Sequence, residues 1–391
     1  MSLLRILIAH AKYRQRGGED VVAEEEADLL RARGHEVLLM SGDNNDVDEA
    51  RPLSAALNTI WSTATTAKLS ICIDKFSPDV IHVHNTFPSL SPSLYWEASR
   101  RGIPIVQTLH NFRLLCPQAM LLRESRVCED CVGRLPWRAI PRGCYGDSIA
   151  RSAVLAGMLT THRMLGTYQR KISRYIALNE FCKAKFIAGG LPGNRISVKP
   201  NFADLPPPNA AAPRNGALFV GRLSQEKGID VLLAALDQVP GKFIEVIGDG
   251  PERQRVVNHP QTVARGWLEP KALLQAMRER AYLVLPSIWY ENSPRTLIEA
   301  FGSGLPVIAS KLGALAELVD HGHTGLLFEP NSATDLANTL RWASEHPAEM
   351  LEMGANARQT FEQRYSPHTN YTQLMSIYRD AVDAHRTEVA A

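Results

Sequence analysis

Two carboxylates separated by seven residues, Glu291 and Glu299, frame the segment ENSPRTLIE. Upstream, Ala281-Tyr282-Leu283-Val284-Leu285-Pro286 is a short apolar run of β character ended by proline. Downstream, Ser293-Pro294 reads as a helix start, with serine as N-cap and proline at the first helical position. This pattern puts Glu291 on a strand-to-helix loop, Pro294 at a helix mouth, and Glu299 about a turn and a half inside. A helix mouth presents free N–H groups and a partial positive charge, which suits a phosphate. Carboxylates flanking it could hold hydroxyls on either side of a bound diphosphate. The chemistry these residues allow is recognition of a sugar joined to a nucleoside diphosphate.

The longer segment WYENSPRTLIEAFGSGLPVIASKLGALAELV resembles the donor-site signature of the retaining glycosyltransferases of family four (group 1), whose fold is the two-domain glycosyltransferase-B fold. The family has two glutamates spaced as Glu291 and Glu299 are here. The resemblance implies that Glu291 contacts the transferred sugar and Glu299 the ribose hydroxyls. It implies donor contacts at Asn292, Ser293, Pro294 and Leu297 within the same signature.

Three further places fit it. In Gly221-Arg222-Leu223-Ser224-Gln225-Glu226-Lys227-Gly228, Arg222 and Lys227 lie five apart around a turn, so both cations could converge on one diphosphate. Arginine would chelate two oxygens and lysine would act as a point charge. Gly17-Gly18-Glu19 falls between the first strand and first helix, where glycine lets backbone N–H groups approach a phosphate. It is not the G-x-G-x-x-G dinucleotide fingerprint, and the resemblance implies a loop at Gly17 and Gly18 over the donor phosphates. His110, after Thr108-Leu109, matches the family position where a histidine meets the transferred sugar. His84 and Asn85, at a neighbouring strand end, are candidates for the acceptor. Gly266-Trp267-Leu268 would lie near the nucleotide base through backbone contacts.

The implied reaction moves a sugar from a nucleoside diphosphate to an acceptor hydroxyl with its anomeric configuration retained. The implied mechanism is front-face: the leaving phosphate takes the acceptor proton while Arg222 and Lys227 hold its charge. No metal is required in that scheme. The alternatives are a sugar-nucleotide epimerase or a phosphorylase of the same fold, or a scaffold that has lost activity. Retention of Arg222, Lys227, Glu291 and Glu299 speaks against the last.

Composition describes a large protein with sizeable cores. The 391 residues exceed one comfortable core, and 45% hydrophobic content with 21% charged is ordinary for globular chains. A net charge of +2 hides an asymmetry: residues 1–200 carry 26 Lys/Arg against 19 Asp/Glu, and 101–185 carry 14 against 5. That excess suggests an anionic partner, such as a lipid-linked acceptor or the anionic inner leaflet of a membrane, with solvated arginine-rich helices as the plain alternative. A glycan or lipid-linked acceptor in cell-surface polysaccharide or glycolipid assembly is the partner expected; nucleic acid is not. No run approaches the ~20 apolar residues of a spanning helix, and Leu3 to Ala9 is too short for a signal segment. The expected location is cytoplasmic, peripheral at the membrane face.

Cys116, Cys128, Cys131 and Cys144 form C-x11-C-x2-C-x12-C, with Cys72 and Cys182 apart. The spacing admits a structural zinc. Buried thiols are the alternative, and disulfides suit a reducing compartment least.

The elements that must position these residues alternate strand and helix. Leu4 to Ala9 reads as a buried strand, Asp20 to Arg33 as a helix with Gly34 past its end, and Val37 to Met40 as a strand before an Asp/Asn-rich segment. Val80 to His84 and Pro104 to Leu109 follow as strands. Asp204 to Pro213 is a linker by composition. A second series then opens at Ala217-Leu218-Phe219-Val220, continuing through Phe243 to Ile247, Leu283 to Pro286 and Pro306 to Ala309. The prediction is α/β: two Rossmann-like doubly wound domains facing a central cleft. Their spans are 1–200 for acceptor binding, with a cysteine-containing insert at about 112–148, and 201–365 for the nucleotide-sugar. In the family fold a C-terminal helix, here 366–391, crosses back to the first domain.

Overall fold

The computed structural model describes residues 3–13, 16–43, 52–208 and 214–390. The Asp/Asn-rich segment after the second strand and the second half of the predicted linker lie outside them. The chain divides into two compact units: residues 1–120, 129–200 and 370–391 form one, and residues 121–128 and 201–369 form the other.

In the first unit six strands form one sheet: β1 (Arg5–Lys12), β2 (Glu36–Asp43), β3 (Val80–Asn85), β4 (Ile105–Thr108), β7 (Arg174–Ala177) and β8 (Ile196–Val198). Between β4 and β7 the chain also makes a short antiparallel hairpin, β5 (Leu122–Arg123) with β6 (Arg126–Val127). The sheet order is β2-β1-β3-β4-β7-β8, parallel throughout. Helices on both faces leave such strands dry, and Ile6, Leu7, Ile8 and Ala9 of β1 are all 0% exposed. Winding reverses between β1 and β3. By general rule the carboxyl ends of the strands flanking such a reversal form a ligand crevice.

Helix α1 (Gly18–Ala32) follows β1 and buries Val22, Ala23, Glu26, Ala27 and Leu30 along one stripe. Glu26 is the anomaly in that apolar set. The helix Pro367–Ala390 supplies Tyr371, Leu374, Met375, Tyr378 and Ala381 at three- and four-residue spacing to the same core as Ile6, Ile8, Val80, Val106 and Ile176. Two of its tyrosines also reach buried imidazoles: Tyr371 Oη lies 2.9 Å from His35 Nε2, and Tyr378 Oη 2.8 Å from His82 Nδ1.

The second unit repeats the plan with β9 (Ala217–Val220), β10 (Ile244–Ile247), β11 (Thr262–Gly266), β12 (Tyr282–Leu285), β13 (Val307–Ser310) and β14 (Gly325–Phe328). Their order is β11-β10-β9-β12-β13-β14, again parallel. Here the reversal falls between β9 and β12. Two Rossmann-like domains are therefore present. Predicted strands recur within a few residues of their expected limits; β5, β6, β7, β8 and β14 were not foreseen.

Two boundaries differ from expectation. The insert at about 112–148 is not wholly part of the first unit: Leu121–Cys128 groups with the second, where Gln225 Nε2 donates to Ser125 Oγ at 2.8 Å. The second unit also runs to Thr369, a few residues beyond the predicted limit.

Leu374 is 0% exposed in the first core. Leu374→Ala is expected to cost about 2–5 kcal/mol in urea unfolding, the usual range for a buried leucine truncation. A loss under about 1 kcal/mol would contradict the docking of this helix in the first unit's core.

Candidate active site

In the second unit the loop after β9 and the loop after β12 meet at the reversal. Ile288 N donates to Glu226 O at 3.0 Å, which straps the two loops together through backbone. Across the same gap Lys227 Nζ donates to Glu291 Oε1 at 2.7 Å. Ser287 Oγ, at 2.7 Å, and Trp289 Nε1, at 3.0 Å, donate to the same oxygen. Glu291 is only 5% exposed, so its charge depends on these donors rather than on water. The Lys227 ammonium also lies 5.4 Å from the Trp289 ring centroid. Arg222, on the same loop as Lys227, is exposed.

Backbone packing fixes these loops. Gly228 has φ +76, and a Cβ there would sit 1.8 Å from Pro286 O. Only glycine lets the residue after Lys227 pass so close to the end of β12. Gly248 has φ +141, and a Cβ on it would meet Gly221 O at 1.9 Å. Gly221 N in turn donates to Ile247 O at 3.0 Å, and Gly248 N to Gly266 O at 2.8 Å. The loops after β9, β10 and β11 thus form one hydrogen-bonded rim. Gly221 and Gly266 belong to it as predicted donor residues, while Trp267 is 68% exposed beside it and Leu268 half-buried.

The helix carrying Glu299 begins one residue later than expected. It spans Arg295–Gly302, and Pro294 rather than Ser293 is its N-cap, with no side-chain cap. Asn292 is buried and Ser293 half-buried. Glu299 Oε1 accepts from Arg295 Nε at 2.7 Å, one turn away. Leu297 is 0% exposed, so its side chain belongs to the core. Ser287, Trp289 and Gly248 were missed, although Ser287 and Trp289 stand directly beside the glutamate signature. At the opposite end of the sheet a cavity of about 710 Å³ is lined by Arg214, Glu245 and Arg280. Glu245 already pairs there with Arg280 at 2.6 Å, so its charge is satisfied away from the loops.

In the first unit the predicted residues gather at the reversal between β1 and β3. Gly17 is the N-cap of α1, and its N–H donates to Asp20 Oδ2 at 2.7 Å. A Cβ on Gly18 would meet nothing within 4 Å. Asp20 Oδ1 lies 2.8 Å from His10 Nε2 and accepts from Tyr13 N at 3.1 Å. Burial pushes the Asp20 carboxyl up, but His10 and the two backbone donors more than offset it, and the group stays below its usual range. Glu19 accepts from Asn111 Nδ2 at 2.9 Å and Tyr13 Oη at 2.8 Å. There burial prevails over those donors and raises the carboxyl.

His110 is 8% exposed, and its Nε2 lies 2.9 Å from His84 Nδ1. His84 is 2% exposed and stacked behind His110, with ring centroids 5.1 Å apart. It has no surface to offer an acceptor, so the expected direct contact gives way to an internal role. Asn85 is likewise committed to backbone: its amide donates to Ala11 O and Phe87 O at 3.3 Å each and accepts from Phe87 N at 3.0 Å. Behind the histidines lies a buried ion pair that sequence reasoning missed, Glu26 with Lys199, each 1% exposed. Glu26 Oε2 is 3.3 Å from His84 Nε2. Burial would raise the Glu26 carboxyl, yet Lys199 and the histidines hold it well below its usual range. Burial also lowers His82, His84 and His110, so all three stay neutral near pH 7.

Among the described residues, Glu26, His82 and His84 form the one group of three or more His, Cys, Asp or Glu whose ligand atoms lie within 4.8 Å of each other. No cysteine belongs to it. Cys116, Cys131 and Cys144 lie in the first unit and Cys128 on the hairpin grouped with the second, and no disulfide joins any of the six cysteines. A cation at Glu26 would compete with the Lys199 ammonium, and His82 already spends Nδ1 on Tyr378 and Nε2 on Thr108 Oγ1 at 2.7 Å.

Comparison with known proteins assigns the family. Residues 16–206 match the family described as Glycosyltransferase Family 4, and residues 204–360 match Glycosyl transferases group 1. An uncharacterized glycosyltransferase of Methanocaldococcus jannaschii is 26% identical over 265 residues, covering 63% of this chain and 74% of the relative. A glycogen synthase of Mycobacterium tuberculosis is 30% identical over 183 residues, 43% of this chain and 44% of its own, so the match spans under half of that relative. Among solved structures, the Anabaena protein HepE in complex with UDP superposes with a TM-score of 0.66 at 18% identity, covering 95% of this chain and 98% of the other. Two consecutive family matches, the doubly wound sheets and the paired loops at the second reversal agree: this chain belongs to the group 1 glycosyltransferases and has their two-domain glycosyltransferase-B fold.

Proposed function

We propose that the chain transfers a sugar from a nucleoside diphosphate to an acceptor hydroxyl, with retention at the anomeric carbon. The observation that carries this reading is the Lys227–Glu291 pair, 2.7 Å across the strand reversal of the second unit, with Arg222 exposed on the same loop. When the bond from C1 to the diphosphate breaks, negative charge grows on the leaving oxygen. Arg222 and Lys227 stabilise that charge, so this reading gives the task to side chains rather than to a metal ion. The acceptor oxygen bonds to C1 on the same face, and its proton passes to the leaving diphosphate. Glu291, rigid in its three-donor cradle, orients the sugar. Glu299 holds the ribose once a hydroxyl competes for it with Arg295.

A uridine nucleotide is the first donor to test, since HepE has been solved with UDP and with UDP-glucose. The acceptor in this reading is a glycan or lipid-linked chain of surface polysaccharide or glycolipid assembly, met at an anionic membrane face. Support comes from apolar side chains exposed in the basic first unit. Leu53 (81%) stands on the helix Pro52–Ile60, which packs on the helix Ile149–Met164, where Ile149 is 61% exposed. The adjoining turn Pro136–Ala139 presents Trp137 (62%) beside Arg138. Aromatic and aliphatic groups next to arginines suit a headgroup boundary. Among the described residues no helix is long and apolar enough to cross a membrane, so attachment would be to the surface.

Across UDP-, GDP- and dTDP-sugars, one donor is expected to bind and turn over. Glu299→Ala should weaken its binding about tenfold or more, the cost of about one lost charged hydrogen bond, whereas Arg222→Ala should chiefly lower kcat. Equal turnover in Arg222→Ala would contradict the charge-stabilising role, and no binding to any donor would sink the reading. Sedimentation with vesicles containing anionic phospholipid should retain the protein, and retention should weaken in Trp137→Ala and in high salt. Equal binding to neutral vesicles would exclude an electrostatic membrane surface.

A further inference from the structure

We propose that Glu26, paired with Lys199, is a positioning residue for this transfer: through His84 it fixes the ring proton of His110 on Nε2 and leaves the Nδ1 lone pair as its acceptor. The inference rests on the reading above, in which His110 meets the transferred sugar. It follows from which atoms can carry hydrogen. An ionised carboxylate only accepts, and Glu26 Oε2 faces His84 Nε2 at 3.3 Å. Both atoms are buried and neither has a hydrogen-bond partner of good geometry, so what His84 Nε2 meets at 3.3 Å is the field of the carboxylate. The His84 hydrogen therefore sits on Nε2, where it points at the negative charge. A neutral imidazole has one N–H, so His84 Nδ1 presents its lone pair to His110 Nε2, 2.9 Å away. His110 must donate there, and its own lone pair moves to Nδ1.

Lys199 gives the relay its direction. At 1% exposure, Glu26 without a counter-charge would take up a proton rather than stay ionised in the core. A protonated Glu26 could donate to His84, and the whole pattern could reverse. The Lys199 ammonium on Glu26 Oε1 removes that option and leaves Oε2 for the histidine. His82 buttresses the pair: Tyr378 Oη and Thr108 Oγ1 hold its two nitrogens, and its ring lies 4.3 Å from that of His84. The consequence is selectivity by polarity. A group that accepts at Nδ1 suits a neutral sugar hydroxyl, which brings its own proton, and disfavours a phosphate or carboxylate oxygen, which does not.

The test is Glu26→Met/Lys199→Met, because removing one partner alone strands a buried charge and can unfold the unit, whereas replacing both with apolar groups is often near neutral for stability. Donor binding, nitrogen-15 spectra of the histidine rings and steady-state kinetics are compared with wild type. The proposal expects donor affinity and KM to hold while kcat falls about 10–100-fold, the scale for losing a partner that orients a working imidazole. It also expects the Nε2–H signature of His110 in wild type to be lost in the double variant. An unchanged kcat, or a fallen kcat with an unchanged His110 signature, would overturn the positioning role. A wild-type His110 protonated on Nδ1 would overturn the relay itself. A wild type with the Nε2–H signature that turns over no sugar donor would instead overturn the transfer reading, and the kinetic half of this proposal with it.

Discussion

A parallel sheet that reverses its winding leaves two neighbouring loops diverging from adjacent strand ends, and something must occupy the gap. In the second unit the occupant is charge: Lys227 from the loop after β9 meets Glu291 from the loop after β12. Much of the surrounding structure serves that meeting. Gly228 lets the lysine loop pass Pro286 O, the backbone bond from Ile288 to Glu226 fixes the loop spacing, and Ser287 and Trp289 complete the shell of the carboxylate. A nearly buried carboxylate left by one partner would cost about 3–5 kcal/mol. The pair is thus strongly constrained, and a ligand that draws the ammonium away must supply comparable charge. A diphosphate does.

The first unit holds a deeper pair, between the middle of α1 and the residue after β8. Glu26 and Lys199 are 173 positions apart in the chain and wholly removed from water. Neutral histidines, rather than water or ligand, surround them. One reversal therefore holds a half-exposed cation beside a nearly buried carboxylate, suited to exchange partners with an anion. The first unit's pair is closed, and its effect can leave the core only through the side chains packed on it.

What was legible in the sequence follows from how local each feature is. The loops after β9 and β12 are short segments in which residue type and spacing stand out, so Arg222, Lys227 and Glu291 could be singled out in the sequence, together with the strands that present them. A family signature mixes ligand contacts with apolar core positions, and the burial of Leu297 is not visible in the sequence. The helix start slipped by one residue because both Ser293 and Pro294 carry start signals. His82 and His84, two apart on a strand, visibly share a face, but sequence does not say which face is dry. Lys199 sits just after β8, where a charged residue reads as surface, and nothing local ties it to Glu26.

The most direct measurement is a crystal structure with a bound nucleoside diphosphate. The account predicts diphosphate oxygens at hydrogen-bond distance, about 2.7–3.2 Å, from Arg222 and Lys227 on the loop after β9, with the ribose on Glu299. A nucleotide bound elsewhere, with Lys227 still closed on Glu291 and Arg222 untouched, would contradict it.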